Sequence, residues 1–117
     1  MGTTESVAEI SEEQKGEVLI MRIKGRLDAV SSPTAEKKVF DVINNGHHKI
    51  ILEISGVSYI SSAGMRMLLS TTKKVRTLSG KLCICGMIPN VMDVLKMSGF
   101  DHILDLFQTE EEALKHF

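Results

Sequence analysis

The sequence contains no tryptophan and has only two prolines and two cysteines. None of its apolar runs approaches the roughly 20 residues of a membrane-spanning helix. Its first 16 residues, MGTTESVAEISEEQKG, have neither the basic start nor the apolar centre of a signal peptide. The 14 Lys and Arg residues are balanced by 15 Asp and Glu residues, so the chain lacks the basic excess that is typical of nucleic-acid binding. These absences predict a cytoplasmic protein that binds neither membranes nor nucleic acids.

The two cysteines, Cys83 and Cys85, lie two positions apart in the strand-like segment KLCIC, which places both side chains on the same face. A zinc site requires four ligands, and none of the four histidines stands at a metal-binding spacing beside these cysteines. A free cysteine usually behaves as a small hydrophobic residue. We therefore expect two buried thiols in the core, and no metal or other cofactor.

The apolar content of the chain is sufficient for one core. Hydrophobic residues make up 43% of the 117 positions and charged residues 25%, and no repeat, linker or low-complexity segment divides the sequence. These features predict a single domain over residues 1–117. The first several residues are small, polar and acidic, and we expect only these to fray.

Strand patterns occur at intervals along the chain. The runs VAEIS and EVLIMRI, separated by EEQKG, predict an antiparallel hairpin. The nearly continuous apolar run KIILEIS predicts a central parallel strand that is covered on both faces, and KLCIC predicts a second buried strand. Near the end of the chain, HILDLF predicts a short edge strand or turn.

Four helices are predicted between and after these strands. The first is expected to begin with Ser32 as its N-cap and Pro33 in its first position. The second is expected to begin at Ser62, the third to follow Pro89 over NVMDVLKMSG, and the fourth to begin at Thr109. Strands that alternate with helices predict an α/β fold, with a mixed, mostly parallel sheet of four to five strands, an N-terminal antiparallel hairpin and helices packed on the sheet.

The segment GVSYISSAGMRMLLS, residues 56–70, places two adjacent serines between a predicted strand and a predicted helix. Binding sites of open α/β sheets favour the carboxyl ends of strands, so we expect Asp28, after the second strand, to share one rim with Ser61 and Ser62. Ser62 is the expected N-cap of the helix, and the local pattern alone favours this cap role. A phosphate on the same oxygen also suits a helix N-terminus, so this position is expected to tolerate phosphorylation.

The sequence carries no recognisable catalytic motif. SSAGMR lacks the glycines on both sides of the serine in a G-x-S-x-G nucleophile elbow, and no G-x-x-x-x-G-K-[ST] phosphate-binding loop occurs. The four histidines lie in terminal segments or in a helix-to-strand turn, where none is expected to serve as a base for a serine. We therefore expect no enzyme and no catalytic residue.

Three segments resemble a known family. They are GRLD at residues 25–28, IILEISGVSYISSAGMRMLL at 50–69 and GMIPNVMDVLKMSGFDHILDLFQTEEEAL at 86–114. Together they are similar to the bacterial anti-sigma factor antagonists of the STAS domain family over nearly the whole chain, and the segment with the serines is the most specific part. The resemblance implies a switch protein rather than an enzyme.

In that family a serine at the start of this helix is phosphorylated, within a motif that reads Asp-Ser-Ser-Gly or Asp-Ser-Ala-Gly. The resemblance places the phosphoacceptor at Ser62. Ser61 takes the position of the family's acidic residue and is the minority candidate for the acceptor. The resemblance also implies a partner-binding surface with Asp28, Ser61, Ser62, Ala63 and Gly64. Met65 and Arg66 follow on the predicted helix and are further candidates for this surface.

The implied partners are a serine-kinase anti-sigma factor and a PP2C-type phosphatase. The unphosphorylated form is expected to bind the kinase and free the sigma factor. The phosphorylated form is expected to dissociate from the kinase, and the phosphatase to restore the unphosphorylated form. The alternative is a STAS scaffold or regulatory module that is never phosphorylated, because Ser61 departs from the family motif. A small-ligand carrier or enzyme is a third possibility, which requires a sizeable polar pocket.

Four side chains near the serines have orientations that matter for partner binding. Met65 is expected to pack in the core, although methionine also suits adaptable contact surfaces. Met67 and Arg66 lie off the apolar stripe of the predicted helix and are expected to face a partner or water. Tyr59, the sole tyrosine, is assigned to either the core or the rim.

Overall fold

The computed structural model describes residues 8–117, so the predicted fraying of the first several residues and the start of the VAEIS strand lie outside the described part. Five strands and four α-helices occur in this range, with a 3₁₀ turn at Phe100–His102 before the last strand. Their bounds are β1 Ala8–Lys15, β2 Val18–Leu27, α1 Ser32–Asn44, β3 Lys49–Ile60, α2 Ser62–Thr77, β4 Lys81–Cys85, α3 Pro89–Met97, β5 Leu106–Phe107 and α4 Glu110–Leu114.

The five strands form one sheet in the order β1-β2-β3-β4-β5. β1 and β2 are antiparallel, and each later pair of neighbours is parallel. The predicted α/β class, the N-terminal hairpin and the mostly parallel sheet are therefore confirmed. The segment HILDLF contributes only the two-residue edge strand β5.

The hairpin turn is tighter than predicted. β1 continues through EEQK to Lys15, which pairs with Val18, so only Gly16 and Glu17 form the turn. Gly16 has a φ of +61°, a positive value that two-residue hairpin turns require and that glycine adopts without steric cost. Residues 11–15 are polar and exposed, and the sequence pattern missed this extension because no apolar alternation marks it.

Helices α1, α2 and α3 pack on one face of the sheet, and α4 packs on the other. Adjacent residues of a strand point to opposite faces. Ile50 and Ile51 of β3 are both fully buried, but they belong to different cores. This arrangement confirms that KIILEIS is a central strand covered on both faces.

Cys83 and Cys85 are free and fully buried in the smaller core, which also contains Ala113 of α4. Desolvation raises the pKa of the Cys83 thiol to about 11 and that of the Cys85 thiol to about 12, because burial penalises the thiolate. The prediction of two buried thiols is confirmed, and both are protonated at neutral pH.

The start of α4 is fixed by a side-chain cap and by ion pairs to the sheet. The Thr109 hydroxyl accepts a hydrogen bond of 3.1 Å from the backbone N–H of Glu112, as the capping-box spacing predicted. The Glu110 carboxylate accepts hydrogen bonds from Lys15 Nζ at 2.5 Å and from Arg22 Nη2 at 2.7 Å. These contacts tie α4 to β1 and β2 across the smaller core.

The start of α1 differs from the prediction. Its N-cap is Ser31, while Ser32 is the first helical residue. The Ser31 hydroxyl makes no cap bond to the helix, since it donates to the carbonyl oxygen of Arg26 and accepts from the backbone N–H of Asp28 at 3.1 Å. The predicted Ser32 cap is wrong because the loop after β2 closes on itself through the preceding serine.

Candidate functional site

β2 and β3 end side by side, since Leu27 and Ile60 are paired at the carboxyl ends of these parallel strands. The next residue after β3, Ser61, donates its backbone N–H to the carbonyl oxygen of Leu27 at 2.9 Å. Asp28 and Ser61 therefore continue from paired strand ends. The segment that begins at Asp28 after β2 and the segment that begins at Ser61 after β3 therefore form one rim, as predicted from the sequence.

Gly64 allows α2 to begin directly over the end of β2. A Cβ atom at this position would lie 2.5 Å from the carbonyl oxygen of Leu27 and 2.7 Å from Cγ1 of Ile60. One of these atoms belongs to the backbone and the other to a buried side chain, so neither moves aside easily. A larger residue would displace the start of α2, together with both serines, from the strand ends.

The N-cap of α2 is Ser61, so the prediction that Ser62 caps this helix is wrong. Ser61 has an extended backbone, with φ −99° and ψ 179°, and its hydroxyl accepts a hydrogen bond of 3.4 Å from the backbone N–H of Gly64. Ser62 is the first helical residue and is exposed. Sequence pattern did not distinguish the two because adjacent serines are equally suitable caps.

The Ser62 hydroxyl forms no hydrogen bond with any residue in the range 8–117. It belongs to the first turn of α2, where backbone N–H groups lack intrahelical partners and no acidic side chain is present. Ser61 thus stabilises the helix start, while Ser62 presents its oxygen to solvent.

The Asp28 carboxylate shapes the rim. Its Oδ1 accepts hydrogen bonds from the backbone N–H groups of Val30 at 3.0 Å and Ser31 at 3.1 Å, which is typical of an Asx turn. Its Oδ2 lies 3.6 Å from Nε of Arg26. The turn leaves Val30 as a highly exposed apolar side chain, 69% accessible, at the edge of the rim.

Arg26 and Tyr59 make a contact at the rim that the sequence pattern does not predict. The guanidinium carbon of Arg26 lies 4.2 Å from the centroid of the Tyr59 ring, a cation–π contact. The two residues are direct partners in the register of β2 and β3. Tyr59 is 43% exposed and therefore belongs to the rim rather than the core. The strand register would have predicted this contact, but composition and periodicity do not give the register.

An open groove of about 540 Å³, here called the serine groove, lies beside the two serines. Five of the seven predicted partner-binding residues line it, and Asp28 and Gly64 lie outside its lining. The lining consists of Ala29, Tyr59, Ile60, Ser61, Ser62, Ala63, Met65, Arg66 and Val94. Because the groove is open to solvent, it suits a protein surface better than an enclosed small molecule.

The two methionines near the groove are both buried. Met65 packs in the main core, which confirms the prediction for this residue. Met67 is 1% exposed, so the prediction that it faces a partner or water is wrong. The reason is that α2 packs against α1 as well as against the sheet, which makes its buried face wider than the apolar stripe. Arg66 is exposed, as expected.

Two further properties concern the part of the chain that the structure describes. No group of three or more His, Cys, Asp or Glu side chains there could hold a metal ion. Within residues 8–117, none of the helices has the length and apolar character needed to cross a membrane.

Comparison with known proteins identifies relatives over most of the chain. BtrV of Bordetella bronchiseptica, a candidate anti-sigma factor antagonist, is 29% identical over 100 residues, which cover 86% of each chain. The anti-sigma F factor antagonist of Paenibacillus polymyxa is 28% identical over 98 residues, which cover 83% of this chain and 84% of that protein. The model of the STAS domain family matches residues 9–113.

Solved structures share the fold. An anti-sigma factor antagonist from Mycobacterium paratuberculosis aligns with a TM-score of 0.85 and 21% identity, over 93% of this chain and 92% of that one. The anti-sigma factor antagonist SpoIIAA in its unphosphorylated form gives 0.76 and 24%, over 92% and 95%. The phosphorylated form of Bacillus SpoIIAA gives 0.68 and 23%, over 92% and 98%. The chain therefore belongs to the STAS domain family, as its resemblance implied.

Proposed function

We propose that this protein is an anti-sigma factor antagonist whose binding to its partner is abolished by phosphorylation of Ser62. The observation that carries the proposal is the exposed Ser62 hydroxyl, which has no hydrogen-bond partner in residues 8–117 and lines the serine groove. The names of relatives that match most of this chain support the general role of anti-sigma factor antagonist. SpoIIAA, which shares the fold, has been solved with and without phosphate.

A phosphate on Ser62 is compatible with the folded domain. The first turn of α2 has backbone N–H groups without intrahelical partners, and the positive end of the helix dipole favours an anion there. Ser61 provides the helix cap, so modification of Ser62 removes no hydrogen bond within the described chain. Phosphorylation therefore leaves the domain folded and changes only the surface it presents.

In the unphosphorylated form, the serine groove and the Asp28 turn dock on a serine-kinase anti-sigma factor, which then releases its sigma factor. A phosphate adds about −1.5 to −2 charges. Near the nucleotide phosphates of a kinase, these charges repel the partner. A PP2C-type phosphatase restores the binding form. In this role the protein acts in the cytoplasm, where transcription takes place, and catalysis belongs to its partners.

The acceptor is tested by intact-mass measurement after incubation with ATP and a cognate serine-kinase anti-sigma factor. We expect a gain of one phosphate in the wild type and in Ser61→Ala, and no gain in Ser62→Ala. Ser58→Ala is the matched control, because Ser58 is an exposed serine of β3 outside the serine groove. It is expected to gain phosphate like the wild type.

Two results contradict the proposal. If the phosphate is lost in Ser61→Ala and retained in Ser62→Ala, the acceptor is Ser61. If the wild type gains no phosphate from a kinase that modifies another substrate, the alternative of a scaffold that is never phosphorylated is favoured. That alternative has one observation behind it, which is that Ser61 stands where the family motif has an acidic residue.

A further inference from the structure

Arg66 is a rim cation with no fixed partner in the described part of the chain. It lies four residues after Ser62 on α2, and both side chains line the serine groove. No residue in the range 8–117 forms an ion pair or hydrogen bond with its guanidinium. Arg26, the other arginine of the rim, is already engaged by the ring of Tyr59 and lies 3.6 Å from Asp28.

The spacing of Ser62 and Arg66 suits a contact within one helix. Positions i and i+4 lie on the same face, with Cβ atoms about 5–6 Å apart. Helical side chains lean towards the N-terminus, which favours a contact between Arg66 and the residue four positions before it. An anion that precedes a cation by four residues is also the favourable order relative to the helix dipole.

We infer that Arg66 binds the phosphate of phospho-Ser62 within α2. A guanidinium binds phosphate oxygens through two parallel hydrogen bonds. A phosphate on Ser62, four residues before Arg66 on the same helix, can accept both of these bonds. The inference rests on the proposed function, because it assumes that Ser62 is the residue modified. It gives the switch a second action: phosphorylation adds negative charge to the serine groove and also withdraws the Arg66 cation from the docking surface.

Phosphoserine inserted at position 62 during translation tests this contact without a kinase. The second ionisation of a phosphoserine has a pKa of about 6, and a neighbouring cation lowers that pKa. Phosphorus NMR across a pH titration gives the value in the phosphorylated parent, in Arg66→Gln and in Lys73→Gln. Lys73 is the matched control, since it is exposed on the same helix seven residues beyond Arg66.

We expect Arg66→Gln to raise the phosphate pKa by about half a unit or more, and Lys73→Gln to change it by less than about 0.2. Arg66→Lys keeps the charge and is expected to recover part of the shift, which a purely structural role of Arg66 does not predict. An equal pKa in the parent and in Arg66→Gln overturns the inference. Because no kinase is involved, that failure is distinct from failure of the proposed function, which appears as wild-type protein that gains no phosphate.

Discussion

The backbone N–H of Ser61 donates a 2.9 Å hydrogen bond to the carbonyl oxygen of Leu27, and this bond fixes the start of α2 over the end of β2. Through it, the loop with Asp28 and the helix turn with Ser62 become parts of one surface. The geometry depends on Gly64, where an added Cβ atom would lie 2.5 Å from the carbonyl oxygen of Leu27. Substitution of Gly64 therefore tests the stability of this junction, and substitutions of Ser61 and Ser62 test the separate roles of the two serines.

Gly64→Ala is expected to destabilise the protein by about 1–3 kcal/mol, because the added methyl group overpacks the junction against the Leu27 carbonyl. The sign of the effect is informative, since replacing glycine by alanine within a helix otherwise stabilises by about 0.5–1 kcal/mol. Urea denaturation measures the free energy of unfolding. A Gly64→Ala protein that is more stable than wild type contradicts the close approach.

Ser61→Ala is expected to lower the free energy of unfolding by about 0.5–1 kcal/mol, at the low end for a lost cap because the Ser61 hydrogen bond is long, 3.4 Å. Ser62→Ala is expected to change stability by less than about 0.5 kcal/mol, since its hydroxyl is exposed and has no partner in residues 8–117. Ser61→Asp keeps a cap and serves as the control. A larger loss in Ser62→Ala than in Ser61→Ala would show that the cap is assigned to the wrong serine.

Alkaline pH is expected to destabilise the protein through Cys83 and Cys85. Their folded pKa values of about 11 and about 12 exceed the ordinary value of 9.0, so the folded state holds protons that the unfolded state loses. This contribution to stability is complete below pH 9, falls as the pH rises above 9, and is lost once the pH has passed through 11 to 12. Denaturation at pH 8 and pH 10 measures the loss.

The double variant Cys83→Ala, Cys85→Ala separates the thiols from other groups that titrate in this range. It is less stable overall because the methyl side chains leave cavities. Its loss of stability between pH 8 and pH 10 is expected to be smaller than that of the wild type. An identical loss in both proteins contradicts the assignment to the thiols.

Glu110→Gln is expected to loosen α4, because it removes the carboxylate that binds Lys15 and Arg22. The hydrogen bond with Glu110 also raises the pKa of Lys15. The rate at which a thiol reagent labels the buried cysteines under native conditions is the readout, and we expect an increase of about fivefold or less. Glu111→Gln, at an exposed position on α4, is the control. Equal labelling rates in the two variants contradict the role of Glu110.

The fold was predictable because its signals are local or repetitive. The continuous apolar run of β3 indicated a strand buried on both faces, and the alternation of strands and helices indicated the α/β class. The capping-box spacing also located the start of α4 at Thr109. These features depend on neighbours within a few residues or on a pattern that repeats along the chain.

The details of the rim were not predictable in the same way. The choice between Ser61 and Ser62 as the cap depends on where β3 ends, which the sequence pattern gives only to within a few residues. The burial of Met67 depends on α1, which packs against α2 from a distant part of the sequence. The Arg26 and Tyr59 contact depends on strand register. Tertiary contacts decide all three.

The central claim is that a phosphate on Ser62 breaks the complex while the domain stays folded. The most direct test is calorimetric binding of the cognate serine-kinase anti-sigma factor to the unmodified protein and to protein with phosphoserine inserted at position 62. We predict that affinity falls by about a hundredfold or more, since like charges brought together in an interface cost several kcal/mol, while the melting temperature changes by only a few degrees. Equal affinities, or a phosphorylated form that unfolds, would contradict the account.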